Sequence, residues 1–305
     1  MKRSLVFLLA PLTVFSVFLT ACNKSDNTDE LKANEQRLLV KYLSDHNITV
    51  QPTASGLYYI ENDTGTGIQP LMGDMVLMNY TLKIISDKIV ATSDKQTAIE
   101  NNIVQEYYLY GPQKYILQEN KYEKGLLEGL MLMKEGSKAT MIIPSSLSYG
   151  GLGMPWLGVS PYSTLIYDIE LLRVIKNPDA FEREQIAAYL DTTLITVADS
   201  TADGLYHIID KAGTGDPPTT GTIVKVNYEL YLIDGRKLAE NSPDAPFSYS
   251  VGSSGYIEGW DKGIRLTRKG EKCRIIIPWY KAYGKSGFQV IPPYSTLLYV
   301  LERVD

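Results

Sequence analysis

The chain has 305 residues but only two cysteines and two histidines. Cys273 sits in the strand-like run Cys273-Arg274-Ile275-Ile276-Ile277, where a buried thiol is the simplest reading. The other cysteine, Cys22, lies close to the start and is assigned a different role below, which leaves no internal disulfide. His46 and His207 stand far apart, with no cysteine or carboxylate cluster at ligand spacing, so no metal site is read from the sequence. The chain also lacks a Gly-x-x-x-x-Gly-Lys phosphate loop and a Gly-x-Ser-x-Gly nucleophile elbow, and no cofactor is expected. Nor is there a basic stripe. The net charge is −5, and a surface without clustered Lys and Arg cannot neutralise a phosphate backbone, which excludes nucleic acid as a partner.

What is present begins with Met1-Lys2-Arg3, a short basic start, followed by an almost wholly apolar stretch from Ser4 to Thr20. Its length is at the lower edge of a membrane span. The polar sequence that follows makes it signal-like rather than a stop-transfer segment. Leu19-Thr20-Ala21-Cys22 resembles a bacterial lipoprotein processing site. The resemblance implies a signal peptide over residues 1–21 and a lipidated Cys22. Acyl chains would hold that cysteine at a membrane, at roughly 0.8 kcal/mol per buried methylene. The implied location is the cell envelope, with the outer membrane as the anchor and the protein either periplasmic or surface-exposed. Residues 22–30 read as a polar tether, and the acidic Asp26 and Asp29-Glu30 point weakly to surface export. Without Lys2 and Arg3 the charge is −7, a self-repelling surface.

Beyond the tether the chain repeats itself. Tyr42-Leu43 recurs as Tyr189-Leu190, Gly56-Leu57-Tyr58 as Gly204-Leu205-Tyr206, and Asn79-Tyr80 as Asn227-Tyr228, at an offset of 147 or 148. Gly136, Pro144 and Tyr149-Gly150 then recur as Gly270, Pro278 and Tyr283-Gly284 at an offset of 134. The first copy therefore carries 14 extra residues between Tyr80 and Gly136, expected around Gln105 to Tyr122, a stretch with five tyrosines. Only two units fit, so this is a tandem domain duplication rather than a solenoid. The domains are expected at 31–175 and 176–305, each of a size that holds its own core.

Each unit should open with an amphipathic helix. Leu38, Leu39, Tyr42 and Leu43 share one face in the first; Phe181, Ile186, Tyr189 and Leu190 are expected to do so in the second, after the cap Asn177-Pro178. Strand-like runs follow, including Val76 to Tyr80, Thr140 to Ile143, Leu165 to Ile169, Ile223 to Tyr231, Arg274 to Ile277 and Thr296 to Leu301. Each unit has one short helical segment, Lys124 to Met133 and Trp260 to Thr267. Strands with a single short helix predict an α+β fold with an antiparallel sheet.

The second copy carries the most telling series. It reads Gly255-Tyr256-Ile257-Glu258-Gly259-Trp260-Asp261-Lys262-Gly263, Lys269-Gly270-Glu271-Lys272, Ile277-Pro278, Ala282-Tyr283-Gly284, Ile291-Pro292-Pro293 and Ser295-Thr296-Leu297. Upstream stand Val224 to Tyr228, the turn Asp234-Gly235-Arg236-Lys237, and Pro246-Phe247-Ser248-Tyr249. In order and spacing this resembles an FKBP-type peptidyl-prolyl isomerase domain over roughly Gly204 to Val304. The resemblance implies a curved antiparallel sheet wrapped around the short helix, with a proline pocket between them. Trp260 would form the pocket floor and face an open cleft. Tyr228, Phe247 and Tyr299 would supply aromatic walls, with Leu238 as an apolar one. Tyr256 and Ile257 would line the rim, the Ile257 N–H donating to a substrate carbonyl. The Tyr283 hydroxyl would reach the peptide, and Val290 and Ile291 would close the far side. The alternative reading is that these aromatics are ordinary core residues.

Both copies depart from the family pattern. Leu238-Ala239-Glu240 stands where Phe-Asp-Ser is usual, and the alanine removes an acceptor that normally holds a tyrosine hydroxyl. The loop Gly284 to Val290 is slightly short. In the first copy Leu126 takes the tryptophan position, Ser160-Pro161 the Pro-Pro position, and Ala91 again the aspartate position. That copy is expected to keep the fold without an effective pocket. The functional expectation is a lipid-anchored prolyl isomerase and folding helper acting on proline-containing peptides or unfolded envelope proteins. A non-catalytic module that grips a partner protein or peptide is the alternative, and a structural spacer a third.

Overall fold

Alternating burial along the strands builds one antiparallel sheet in each copy. The computed structural model describes residues 24–120, 123–193 and 199–305; the signal-like segment and Cys22 lie outside them. The first copy contains α1 (Lys24–Asp45), β1 (Tyr58–Asp63), β2 (Met75–Ile84), β3 (Ile89–Thr92), α2 (Lys95–Glu100), β4 (Gln113–Ile116), α3 (Lys124–Leu132), β5 (Lys138–Ile143) and β6 (Leu165–Ile175). Its strands run β1-β5-β6-β2-β3, with β4 also on β2. The second contains α4 (Pro178–Thr192), β7 (Asp199–Ser200), β8 (Tyr206–Lys211), β9 (Ile223–Leu232), β10 (Lys237–Glu240), β11 (Phe247–Ser250), α5 (Glu258–Ile264), β12 (Lys272–Ile277) and β13 (Leu297–Arg303). Its order, β10-β9-β13-β12-β8-β7 with β11 on β9, repeats the first and adds the two-residue β7. The fold is α+β, with one antiparallel sheet in each of two domains, as the pattern predicted. Among the described residues no helix is long and apolar enough to cross a membrane.

The short helix of each copy lies directly on its sheet because glycines face it. A Cβ at Gly259 would collide with Ile277, and one at Gly263 would come within 2.9 Å of Ile275. Gly125 and Gly129 stand in the same relation to Ile143 and Met141. The repeated Gly-x-x-x-Gly spacing thus sets how closely helix and sheet approach. It lets Leu126 and Leu130, or Trp260 and Ile264, fill the inner core.

The leading helices occupy the outer faces. Leu39 and Tyr42 of α1 pack on Ile142 and Ile166, with Leu43 alongside. In α4, Ile186 packs on Ile208, Ile276 and Leu298, joined by Tyr189 and Leu190. Phe181 does not join that face. It lies five residues, about 140° of helical rotation, from Ile186, and packs instead on Met75 and Ile175 of the first domain. The expected single stripe is therefore a helix shared between domains. The expected tether is also revised, since α1 is helical from Lys24 onward.

A glutamate staples each leading helix to its domain. Glu35 accepts from Ser145 N (2.7 Å), Ser145 Oγ (2.6 Å) and Thr164 Oγ1 (2.9 Å). Glu182, its counterpart 147 residues later, accepts from Thr296 N (2.8 Å) and from Lys114 Nζ of the first domain (2.6 Å). Lys114 also donates to the Tyr294 carbonyl at 2.9 Å, and this ion pair is almost wholly buried. Beside it, Arg236 Nη1 donates to the Pro112 carbonyl at 3.0 Å, and Leu109 packs against the second core.

The 14 extra residues sit earlier than expected. Met78 pairs with Gln113 as Val226 pairs with Phe247, so β4 within the tyrosine-rich stretch is the equivalent of β11. The insertion is therefore α2 and the loop up to Pro112, which reaches the second domain.

Candidate functional site

Period-two side-chain alternation aims Tyr228 of β9, Phe247 of β11 and Tyr299 of β13 at the face covered by α5. Strand pairing brings them together: Phe247 lies opposite Val226, Tyr299 opposite Leu230, and Leu301 opposite Tyr228. With Trp260 they bound a cleft of about 390 Å³. All ten residues singled out from the sequence line it: Tyr228, Leu238, Phe247, Tyr256, Ile257, Trp260, Tyr283, Val290, Ile291 and Tyr299.

Trp260 is the hub. Its ring lies 4.9 Å from that of Tyr299, 5.9 Å from Tyr228 and 6.0 Å from Phe247, centroid to centroid and tilted or edge-on. Such contacts add about 0.5–1.5 kcal/mol each beyond area burial. Contrary to the open exposure expected, Trp260 is only 4 % exposed: its neighbours lean over it, so it forms the floor of the cleft while little of it meets bulk water. Its indole N–H is buried without an acceptor among the described residues.

Beneath Trp260, Tyr249 donates to Asp261 Oδ1 at 2.7 Å, the Gly252 N–H donates to the same oxygen at 2.7 Å, and Arg265 Nε donates to Oδ2 at 2.7 Å. Burial opposes ionisation of Asp261, but these hydrogen bonds outweigh it and hold the carboxyl below its usual range. The carboxylate therefore fixes the α5 turn that carries Trp260.

Ile257 caps α5 in extended conformation, φ −64° and ψ 146°. Its backbone N–H has no acceptor among the described residues. Burial raises the Tyr283 hydroxyl above its usual pKa, as does, secondarily, Tyr228; burial does the same for Tyr299. These groups stay protonated at neutral pH and can donate. Among the described residues no carboxylate, ammonium or guanidinium lines the cleft; Ala239 lies on its wall where the family pattern has an acid.

Sequence reasoning missed Phe288 and Gln289. The short loop closes as a tight turn in which Phe288 and Ile291 exchange backbone hydrogen bonds of 3.0 and 2.9 Å. Gln289 takes a left-handed φ of 51°. The turn stacks Phe288 on Tyr283, centroids 5.1 Å apart at 12°. The available signal was an aromatic residue placed between Tyr283 and Ile291.

In the corresponding region of the first domain the described side chains differ and make polar contacts with one another. Leu126 and Tyr167 are buried where Trp260 and Tyr299 stand in the second. Glu123 takes the place of Ile257, and its Oε2 accepts from Tyr115 (2.9 Å) and Asn120 (2.8 Å). Burial and then Glu123 push the Tyr149 hydroxyl up to about 12. Tyr108, from the loop after α2, meets Tyr80 hydroxyl to hydroxyl at 3.0 Å.

Comparison with known proteins places these geometries. The profile of the FKBP-type peptidyl-prolyl cis-trans isomerases matches twice, over residues 67–172 and 215–303. The chain is similar to FKBP-type peptidyl-prolyl cis-trans isomerase FkpA of Escherichia coli, 38 % identical over 106 residues, covering 35 % of this chain and 39 % of that protein. It thus spans well under half of FkpA. FK506-binding protein 1 of Saccharomyces cerevisiae is 41 % identical over 100 residues, 31 % of this chain and 87 % of that protein. Among solved structures, FkpA from Escherichia coli aligns with a TM-score of 0.37 at 31 % identity, covering 42 % of this chain and 60 % of that one. The three FKBP domains of wheat FKBP73 align with a TM-score of 0.34 at 22 % identity, covering 83 % of this chain and 95 % of that one. Matched in profile in both halves, the chain belongs to the family of FKBP-type peptidyl-prolyl cis-trans isomerases, as a tandem of two such domains.

Proposed function

We propose that the second domain catalyses cis–trans isomerisation of X–Pro bonds in peptides or unfolded protein segments, and that the first is a non-catalytic companion. The single observation that carries this reading is the cleft floored by Trp260 and walled by Tyr228, Phe247 and Tyr299. Amide resonance sets a rotation barrier of about 18–20 kcal/mol. Catalysis requires the site to hold the twisted imide better than the planar one. A twisted amide is less charge-separated, so a nearly water-free apolar cleft favours it. The Ile257 N–H and the Tyr283 hydroxyl supply donors for the flanking peptide. No general acid, base or nucleophile is needed.

By the same proposal the protein works in the cell envelope, held at a membrane through a lipidated Cys22. The signal-like segment before Cys22 supports this placement. Metabolic labelling with a fatty-acid probe tests it: label should appear on the chain and vanish in Cys22→Ser.

A second reading, peptide binding without catalysis, draws on Ala239. NMR exchange spectroscopy on an X–Pro peptide with the full chain separates the two. Faster exchange that falls in Trp260→Ala and Tyr283→Phe supports catalysis. Shifted peptide resonances without faster exchange make the cleft a binding site alone.

A further inference from the structure

Outside the cleft, the second domain gathers three side chains of metal-binding type that the first domain lacks. His207 lies on β8, Cys273 on β12, and Glu271 just before β12. One donor atom from each lies within 4.8 Å of the others, and all three residues are buried. Their sequence separation hid them; the β8–β12 register, with Ile275 opposite His207 and Cys273 opposite Ile209, puts His207 and Cys273 on one face. The equivalent positions in the first domain are Tyr59, Ser137 and Ala139. Tyr59 leaves its hydroxyl buried and unpartnered. The second copy thus differs at three adjacent positions, each time by a residue that can ligate a borderline metal.

We propose that His207, Glu271 and Cys273 form a binding site for a borderline divalent cation, with Zn²⁺ as the natural occupant. Nitrogen, sulfur and a single carboxylate oxygen are the donor set that suits zinc, and three protein ligands leave a fourth tetrahedral position for water. His207 Nε2 and Glu271 Oε1 now share a proton across 2.8 Å. On binding, that proton moves to Nδ1, the thiol proton leaves to solvent, and the metal takes the space between Nε2, Oε1 and Sγ. The charges then sum to zero, since a dication meets a thiolate, a carboxylate and a neutral imidazole, which suits a site removed from water. Support is already in place: Glu271 Oε2 accepts from the Arg268 N–H at 3.2 Å, which holds the carboxylate with Oε1 facing His207. Such second contacts orient ligands in metal sites. Access runs from the β8 side, where His207 keeps 8 % exposure and only the two-residue β7 separates β8 from the sheet edge. The ion would staple β8 to β12 in this domain alone.

The test is a Co²⁺ titration of the full, untagged chain carrying Cys22→Ser, so that Cys273 is the only thiol, after treatment with a chelator. The expected result is one equivalent of Co²⁺ giving a near-ultraviolet thiolate-to-cobalt band and the visible bands of a tetrahedral ion, both removed by added Zn²⁺. Cys273→Ser should abolish the ultraviolet band. His207→Gln, which keeps a donor toward Glu271, should weaken binding by more than the roughly 10–100-fold that loss of a merely supporting group causes. Absence of the thiolate band in the unsubstituted site overturns the proposal whether or not the variants fold. Equal binding by Cys273→Ser would overturn it as well. Neither outcome bears on isomerase activity, which is measured separately.

Discussion

The two domains of this chain are built on one strand order and line the corresponding region with different chemistry. In the second domain Trp260, Tyr228, Phe247 and Tyr299 surround about 390 Å³ of space. In the first, Tyr115 and Asn120 converge on Glu123, while Tyr108 reaches Tyr80 from an added loop. Polar partners and an insertion meet where the second domain has an apolar cleft. A fold can therefore be kept while the lining of its cleft changes, because the sheet, the glycine-mediated helix contact and the outer helix do not depend on what occupies that side.

The comparison extends to the paired glutamates, where the largest effects are expected. Lys114→Ala would leave Glu182 buried without its cation, and breaking a buried pair in this way costs about 3–5 kcal/mol. Thermal unfolding should show the loss. A midpoint unchanged from that of the parent chain would mean that the domains are not clamped there. Removing Glu35, the first-domain counterpart of Glu182, by Glu35→Ala breaks charged hydrogen bonds contained within one domain and should cost less, about 1.5–3 kcal/mol.

Exchanging the floor residues comes next. Trp260→Leu gives the second cleft the first cleft's residue. It should lower kcat/KM on an X–Pro peptide at least tenfold, about 1.4 kcal/mol of transition-state stabilisation. The reverse change, Leu126→Trp, should confer no turnover, because Glu123 and Tyr108 still set a polar lining there; activity gained by it would show that the floor alone separates the domains. Tyr283→Phe should be milder, roughly two- to tenfold, the worth of one neutral hydrogen bond of about 0.5–1.5 kcal/mol.

The smallest effects concern pH. With no ionised group lining the cleft and Tyr283 and Tyr299 raised above the usual tyrosine value, the isomerisation rate should be flat between about pH 6 and 9. A bell-shaped profile would require a titrating catalytic group. Stability behaves differently. The carboxyl of Asp261 titrates lower in the folded chain than in the unfolded one, so its contribution is complete above the unfolded value of about 3.9 and is lost as pH falls through the folded one. Its positional counterpart in the first domain is Leu127, which cannot titrate. Asp261→Asn should therefore reduce the acid sensitivity of the second domain, measured as the unfolding midpoint against pH.

Much of the site was legible before any coordinates. Trp260, Tyr283 and the eight other residues could be named because each sits in a short motif of the second copy whose order and spacing resemble the family pattern. Phe288 escaped because its role comes from a two-residue turn that folds it onto Tyr283. The tyrosine-rich stretch was assigned to the insertion because composition marks it, whereas strand pairing shows that β4 within it is an ordinary strand and that α2 and its following loop are the addition. Phe181 was placed on the wrong face because a helical stripe says which residues share a side and not what body lies opposite it.

By itself the sequence determined the duplication, the α+β class and the aromatic set of the second cleft. The class follows from periodicity, which acts over a few residues, the duplication from motifs that recur at a fixed offset, and the aromatic set from the resemblance of those motifs to the family. Only the tertiary structure decided that Tyr108 meets Tyr80 in the first domain, that Lys114 completes a staple begun by Glu182, and that His207, Glu271 and Cys273 share one place. Each of these is a contact between residues distant in the chain, set by strand register and the packing of α4 between two domains, and no local pattern encodes it.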